Sequence, residues 1–321
     1  MSHQESPQPH SASTGATRTA LIVPGQGSQR VGGIADLPSE DRVWFDRASA
    51  ITGIDLWQLG LSASVEELGR PSVLQPFLVA WGMADFQRAR GPDRGADASV
   101  EPIDFVLGHS SGQNTAMVLS GALRFDDGVR FAYARGKHLD LGCDAAPGAL
   151  LALAGVDEPL AQEMAAATGL QIANYNAPDQ FVLGGDRQAI DAGVVWGEAR
   201  AVAVVVLRVN GAFHTELFRP SDELSEPLIA ALPIAETFTP MIGNARGQRI
   251  ESADDLRAEL SSQYTRPIRW VDALQTAYAA GVRTFVVTGP GNAMAGLVRR
   301  FGKTQPERLR FIRLNAPHAT D

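Results

Sequence analysis

Short, unbroken apolar runs recur along this chain, and each ends at glycine, proline or asparagine. Between them lie longer stretches whose apolar residues fall three and four apart. That alternation predicts an α/β protein, with strands buried by helices on both faces. The first run is residues 19–23, and it leads into Pro24-Gly25-Gln26-Gly27-Ser28-Gln29, a turn at the carboxyl end of a strand where α/β folds bind ligands. Helices are expected over 41–61, 65–68 and from Leu74-Gln75-Pro76 to Phe86, followed by a polar loop over 88–98. A second run, 103–107, breaks at Gly108 and resumes as a helix through Asn114 to Leu119. An amphipathic helix then covers 125–137, where Val129, Phe131 and Ala132 pack while Arg130 and Arg135 project elsewhere.

From about 148 to 209 the rhythm changes. Strand 149–156, helix 159–168, strands 170–174 and 181–183, helix 187–199 and strand 201–209 follow the β-α-β-β-α-β order of a ferredoxin-like unit. The remaining expectations are a helix over 220–232, a strand at 241–244, helices over 253–264 and 271–280, a strand at 284–288, a helix over 293–301 and a last strand at 310–314. The chain therefore divides into a disordered tail, 1–18, a large α/β part, 19–140 and 210–315, and an inserted small subdomain, 141–209.

The stretch Gly108-His109-Ser110-Ser111-Gly112 carries the sharpest chemistry. Strand, Gly-x-Ser-x-Gly, helix is the nucleophile elbow of an α/β-hydrolase-like core. The turn tolerates almost no side chain at the flanking positions and lifts the serine hydroxyl above the sheet. The Ser111 N–H then lies at a helix N-terminus, where it can face a developing oxyanion.

Composition narrows the setting. A net charge of −8 argues against nucleic acid or an anionic membrane as the main partner. One cysteine, Cys143, cannot form an internal disulfide and fits a cytoplasmic setting. No Cys/His cluster has metal spacing, so no metal is expected, and no apolar run is long enough to span a membrane.

A serine nucleophile needs a base. Of the six histidines, His3, His10 and His318 lie in the chain ends. His109 adjoins the serine and points away from it, and His138 ends a helix, where a cation is ordinary. His214 remains, just after a β-branched strand. Asp186, Asp222 and Glu216 are equivalent candidates for a third member, and a carbonyl or amide can orient a histidine instead. Taken alone, Arg135 reads as a solvated charge.

Several motifs in register resemble the malonyl-CoA:acyl carrier protein transacylase family, which includes polyketide synthase acyltransferase domains. They are Pro24 to Gln29, Gly108 to Gly112, Asn174 to Pro178 with Gln180, Ala212-Phe213-His214, Gln263-Tyr264 with Pro267-Ile268-Arg269-Trp270, and Gly289-Pro290-Gly291. The resemblance covers about residues 20–314. It implies Ser110 as the acylated nucleophile, His214 as the base held by the Gln263 carbonyl, and the Gln26 and Ser111 amides as the oxyanion hole. Arg135, in an Arg-Gly-Lys motif, grips the free carboxylate of malonyl, and Phe213 goes with a small acyl group. Gln263, Gln113 and Asn176 complete the expected substrate site. The implied substrates are acyl-CoA and the phosphopantetheine thioester of an acyl carrier protein, with no bound cofactor and a monomeric enzyme. Arg266, Arg269, Arg299, Arg300 and Lys303 are candidates for docking an acidic carrier protein.

The chain departs from the family pattern at Gln113, where glutamate is usual, at Thr215, where serine is usual, and over 145–150, which lack the usual glycine-rich acidic lead-in to the small subdomain. The leading expectation is a discrete malonyl transferase of polyketide or related metabolism. The alternatives are a transferase moving a non-malonyl group between carrier proteins, and an editing hydrolase.

Overall fold

The computed structural model describes residues 17–90, 102–209 and 211–314. The expected tail at 1–18, apart from its last two residues, and the loop positions 91–98 lie outside them. In chain order come β1 (Arg18–Val23), α1 (Arg42–Thr52), α2 (Leu56–Ser62), α3 (Val65–Gly69), α4 (Pro71–Arg90), β2 (Ile103–Gly108), α5 (Gly112–Leu119) and α6 (Phe125–Ala145). Next are β3 (Gly148–Ala154), α7 (Glu158–Thr168), β4 (Gln171–Ala177), β5 (Gln180–Asp186), α8 (Arg187–Ala199) and β6 (Val204–Val206). The chain closes with α9 (Arg219–Ala230), β7 (Met241–Ile242), β8 (Arg249–Ile250), α10 (Ala253–Leu260), α11 (Trp270–Ala279), β9 (Val282–Val287), α12 (Ala293–Gly302) and β10 (Arg310–Arg313).

Six strands form one sheet in the order β10-β9-β1-β2-β7-β8, parallel except for β7 with β8. Successive residues of β1 serve opposite faces. Ala20 and Ile22 join a core with Phe105, Trp270 and Phe285, while Leu21 and Val23 join one with Met117, Phe131 and Leu260. A strand covered on both sides must be apolar throughout, which explains the unbroken run. The other four strands form an antiparallel sheet in the order β4-β5-β3-β6, with α7 and α8 packed on it.

Several elements differ from expectation, each for a local reason. The helix expected over 41–61 is split, because the Gly53 N–H closes α1 onto the Ser49 carbonyl and Asp55 caps α2. Helix α4 starts at Pro71 and carries Pro76 within it. Helix α6 continues past Lys137 to Ala145, since nothing before Pro147 interrupts it, so His138 lies inside the helix. Strand β6 is only three residues long and pairs with β3 alone, at the edge of its sheet.

Candidate active site

Strands β1 and β2 are neighbours, and Val23 lies opposite Gly108. The turn after β1 therefore sits against the elbow after β2. Their approach leaves no room for side chains: a Cβ on Gly25 would lie 2.3 Å from the His109 carbonyl oxygen, and one on Gly112 would lie 2.5 Å from the Val23 carbonyl oxygen. Glycine at these positions is a condition of the two turns meeting.

Ser110 occupies the left-handed region with φ 51°, and His214 does so with φ 66°. Non-glycine residues hold this conformation only where their surroundings impose it. Ser110 Oγ and His214 Nε2 are 2.7 Å apart. His214 Nδ1 is 2.9 Å from the Gln263 carbonyl oxygen, which can only accept. The proton on Nδ1 is thereby fixed, and Nε2 is left with a lone pair for the serine hydroxyl. None of the three acidic candidates touches His214. Asp186 caps α8, Glu216 pairs with Arg219, and Asp222 pairs with Arg135.

His214 is 3% exposed, and burial pushes its pKa down to about 4, with the nearby His109 and Arg135 adding to the shift and the Gln263 carbonyl opposing it. The imidazole is therefore the neutral, base-competent form across the physiological range. We expect Ser110 acylation to hold its rate from neutral pH to about pH 5 and to fall through about pH 4. Pulse labelling by a serine-reactive probe, read by intact mass, measures this. A midpoint at the 6.5 of ordinary imidazole would contradict it. Stability moves in the same direction. The unfolded chain binds the His214 and His109 protons more readily than the folded one, so stability falls as pH drops below 6.5.

A cavity of about 490 Å³ opens above Ser110 between the two sheets. Gln26, His109, Ser110 and His214 line it from the large sheet's side, and Asn176 and Val182 line it from the small sheet. The small sheet is tied beside it to the segment that leads into α11, by Tyr175 N–H to the Ile268 carbonyl and Ile268 N–H to the Ala173 carbonyl, both 2.8 Å. Phe213 lines the cavity and packs on Phe218. Asn176 Oδ1 holds His109 Nε2 at 2.8 Å. The Gln26 N–H donates to Ser111 Oγ at 2.9 Å, whereas the Ser111 N–H has no partner among the described residues.

Arg135, Gln263 and Gln113 do not line the cavity. The expectation that Arg135 projects away from the packed face of α6 is overturned, for it is 0% exposed. Its guanidinium donates to Gln263 Oε1 and the Leu260 carbonyl, both at 2.8 Å, pairs with Asp222 at 3.3 Å and lies over the Tyr264 ring. Burial raises the Asp222 pKa, and Arg135 and the amides of Tyr264 and Thr265 oppose that rise. Arg135 Nε and Gln113 Nε2 are buried donors with no partner among the described residues. Asn244, missed in the sequence, accepts the Ser110 N–H at 3.0 Å. It lies two residues past β7, and nothing local distinguishes it until the fold brings β7 beside β2.

Among the described residues, no cluster of His, Cys, Asp and Glu is arranged to hold a metal ion, and no helix is long and apolar enough to cross a membrane. Of the basic docking candidates, Arg300 lines the cavity and pairs with Asp179 at 2.5 Å, and Arg269 pairs with Asp272.

The acyl transferase domain family matches residues 20–233. The chain is 30% identical over 315 residues to the malonyl CoA-acyl carrier protein transacylase of Bacillus subtilis, covering 95% of this chain and 96% of that one. It is 34% identical over 292 residues to the polyketide biosynthesis protein ThaF of Burkholderia thailandensis, covering 90% of this chain but only 24% of that longer protein. The crystal structure of the malonyl-CoA:acyl carrier protein transacylase of Xanthomonas oryzae superposes with a TM-score of 0.84 at 30% identity, covering 94% and 95% of the two chains. A malonyl-transacylase solved in complex with its type II polyketide synthase acyl-carrier protein superposes with a TM-score of 0.83 at 25% identity, covering 94% and 97%.

Proposed function

This chain belongs to the malonyl-CoA:acyl carrier protein transacylase family, and from that premise we propose that it moves a malonyl-type group from coenzyme A to the phosphopantetheine thiol of an acyl carrier protein, by way of an ester on Ser110. The observation that carries the reading is the Ser110–His214 contact of 2.7 Å, with His214 held by the Gln263 carbonyl at the base of the cavity.

Ser110 Oγ attacks the thioester carbonyl carbon while its proton passes to His214 Nε2. The negative charge that develops on the carbonyl oxygen is met by the Ser111 N–H and by the Gln26 N–H, which leaves Ser111 Oγ to do so. Collapse breaks the C–S bond, the departing thiolate takes the proton from His214 and leaves as the thiol, and the acyl group remains on Ser110. The carrier protein's thiol then gives its proton to His214 and attacks the ester, and Ser110 Oγ recovers the proton as it leaves. The thioester supplies the activation, so no cofactor enters the scheme. A bidentate guanidinium fits a planar carboxylate, which supports Arg135 as the group that selects malonyl, with Phe213 bounding the acyl pocket. Asn176, through His109, shapes the opposite wall. Polyketide or related metabolism is part of the proposal, supported by the likeness to ThaF. So is a cytoplasmic setting, supported by Cys143 being the one cysteine of the sequence.

One observation favours a second reading. Both terminal nitrogens of Arg135 are bonded within the protein and the residue does not line the cavity, as suits a transferase of carboxylate-free acyl groups between carrier proteins. Intact-mass spectrometry after separate incubation with malonyl-CoA, methylmalonyl-CoA and acetyl-CoA decides between them. The expected result is a persistent malonyl adduct that passes to an added holo-carrier protein. An adduct lost to water without any thiol acceptor would identify a hydrolase. No adduct from a folded protein would refute the malonyl reading.

A further inference from the structure

We infer that Asn244 and Gln113 are positioning residues that orient the strained Ser110 backbone through a directional chain of side-chain amides starting at Arg135. The inference rests on Ser110 being the nucleophile and is independent of which acyl group it carries.

Both backbone groups of Ser110 are held. Its N–H donates to Asn244 Oδ1 at 3.0 Å, and its carbonyl accepts Gln263 Nε2 at 3.2 Å and the Gln113 N–H at 3.0 Å. The two clamping side chains meet on a single atom. Gln113 Oε1 accepts Gln263 Nε2 at 3.0 Å and also accepts Asn244 Nδ2. Gln113 and Gln263 are each 1% exposed, as is Asn244, so water does not substitute for these bonds.

The direction of the chain follows from one residue. Arginine has only donors, so Gln263 must present Oε1 to Arg135 and its NH2 to Ser110 and Gln113. Gln113 must then present its oxygen, and Asn244 must present NH2 to Gln113 and oxygen to the Ser110 N–H. Reversing any amide sets like against like. The arrangement persists although it strands Gln113 Nε2 without a partner among the described residues.

Asn244 is itself fixed. Its carbonyl accepts the Arg269 N–H at 2.7 Å, and the next amide, from Ala245, donates to the buried Glu259 at 2.7 Å. In a trans peptide, N–H and C=O point in opposite directions. Holding the Ser110 carbonyl on Gln263 therefore also aims the Ser111 N–H away from Gln263. The same chain thus positions the nucleophile and one oxyanion donor.

Three variants test this: Asn244→Asp, Gln113→Met and Gln113→Glu. Asn244→Asp keeps an oxygen for the Ser110 N–H but sets another against Gln113 Oε1. Gln113→Met removes the shared acceptor. Gln113→Glu keeps it and removes the stranded donor. The readout is the second-order rate of Ser110 labelling by diisopropyl fluorophosphate, by intact mass, with circular dichroism and thermal unfolding on the same samples. We expect labelling to fall about tenfold or more in Asn244→Asp and Gln113→Met, with Gln113→Glu about tenfold faster than Gln113→Met. In malonyl transfer, kcat falls with KM for malonyl-CoA unchanged. Unaltered labelling in Asn244→Asp and Gln113→Met overturns the inference, and so does an equal loss in Gln113→Glu and Gln113→Met. If Asn244→Asp does not fold, the Gln113 pair decides alone. The expected labelling pattern without any malonyl transfer would leave the inference standing and refute the proposed function.

Discussion

Replacing Ser110 with alanine is expected to abolish the acyl adduct and to lower transfer by on the order of 10⁴-fold or more. The hydroxyl is the only group of the elbow placed to form the ester, since it alone stands 2.7 Å from His214 Nε2. The Ser111 hydroxyl oxygen accepts the Gln26 N–H and makes no bond to His214, so it does not replace the Ser110 hydroxyl. His214→Ala should cost a similar factor, and the double variant scarcely more, because the two act as a unit. Alanine at 110 keeps the backbone bonds to Asn244 and Gln263 while the φ of 51° still has to be accommodated, so thermal unfolding should stay close to the parent. Intact mass after malonyl-CoA treatment, with unfolding on the same sample, checks both parts. An adduct of unchanged yield on folded Ser110→Ala would place the nucleophile elsewhere.

Replacing Arg135 with alanine is expected to lower the preference for malonyl over acetyl by on the order of 10²-fold, the scale of a pair of charge-assisted hydrogen bonds. It should also destabilise the fold. Asp222, 5% exposed on its side chain, loses its ion pair with Arg135, and a buried charge left without its partner costs about 3–5 kcal/mol. Asp222 keeps the Tyr264 and Thr265 amides and the Thr265 hydroxyl, which places the loss toward the lower end. Comparing malonyl and acetyl adducts in one sample cancels any difference in folded fraction. A ratio equal to that of the parent would remove Arg135 from substrate selection and favour the transfer of carboxylate-free groups.

The parts of this molecule that are legible in its sequence are those governed by short-range rules. An elbow is a local conformation, so Gly108, Ser110 and Gly112 announce it within five residues. The β1 run announces a doubly covered strand because both faces of that strand must be apolar. The lengths of α6 and β6 are not legible locally, since α6 runs on to a stop at Pro147 and β6 extends only as far as the fold keeps it beside β3. Arg135 was the least legible residue. A lone arginine on an amphipathic helix ordinarily faces water, and the Asp222 carboxylate, the Gln263 side-chain oxygen, the Leu260 carbonyl and the Tyr264 ring make its burial tolerable.

The sequence by itself therefore determined the α/β architecture, the nucleophile elbow and, with its run of family motifs, the residue types of the site. Tertiary structure alone decided how they meet. It brings His214 to a serine 104 positions away, turns the Gln263 carbonyl rather than a carboxylate toward it, and closes the amide chain from Arg135 to Asn244. The physical reason is one of range. Backbone conformation and periodicity are written in neighbouring residues, whereas the direction of a buried hydrogen bond depends on every donor and acceptor that the fold packs around it.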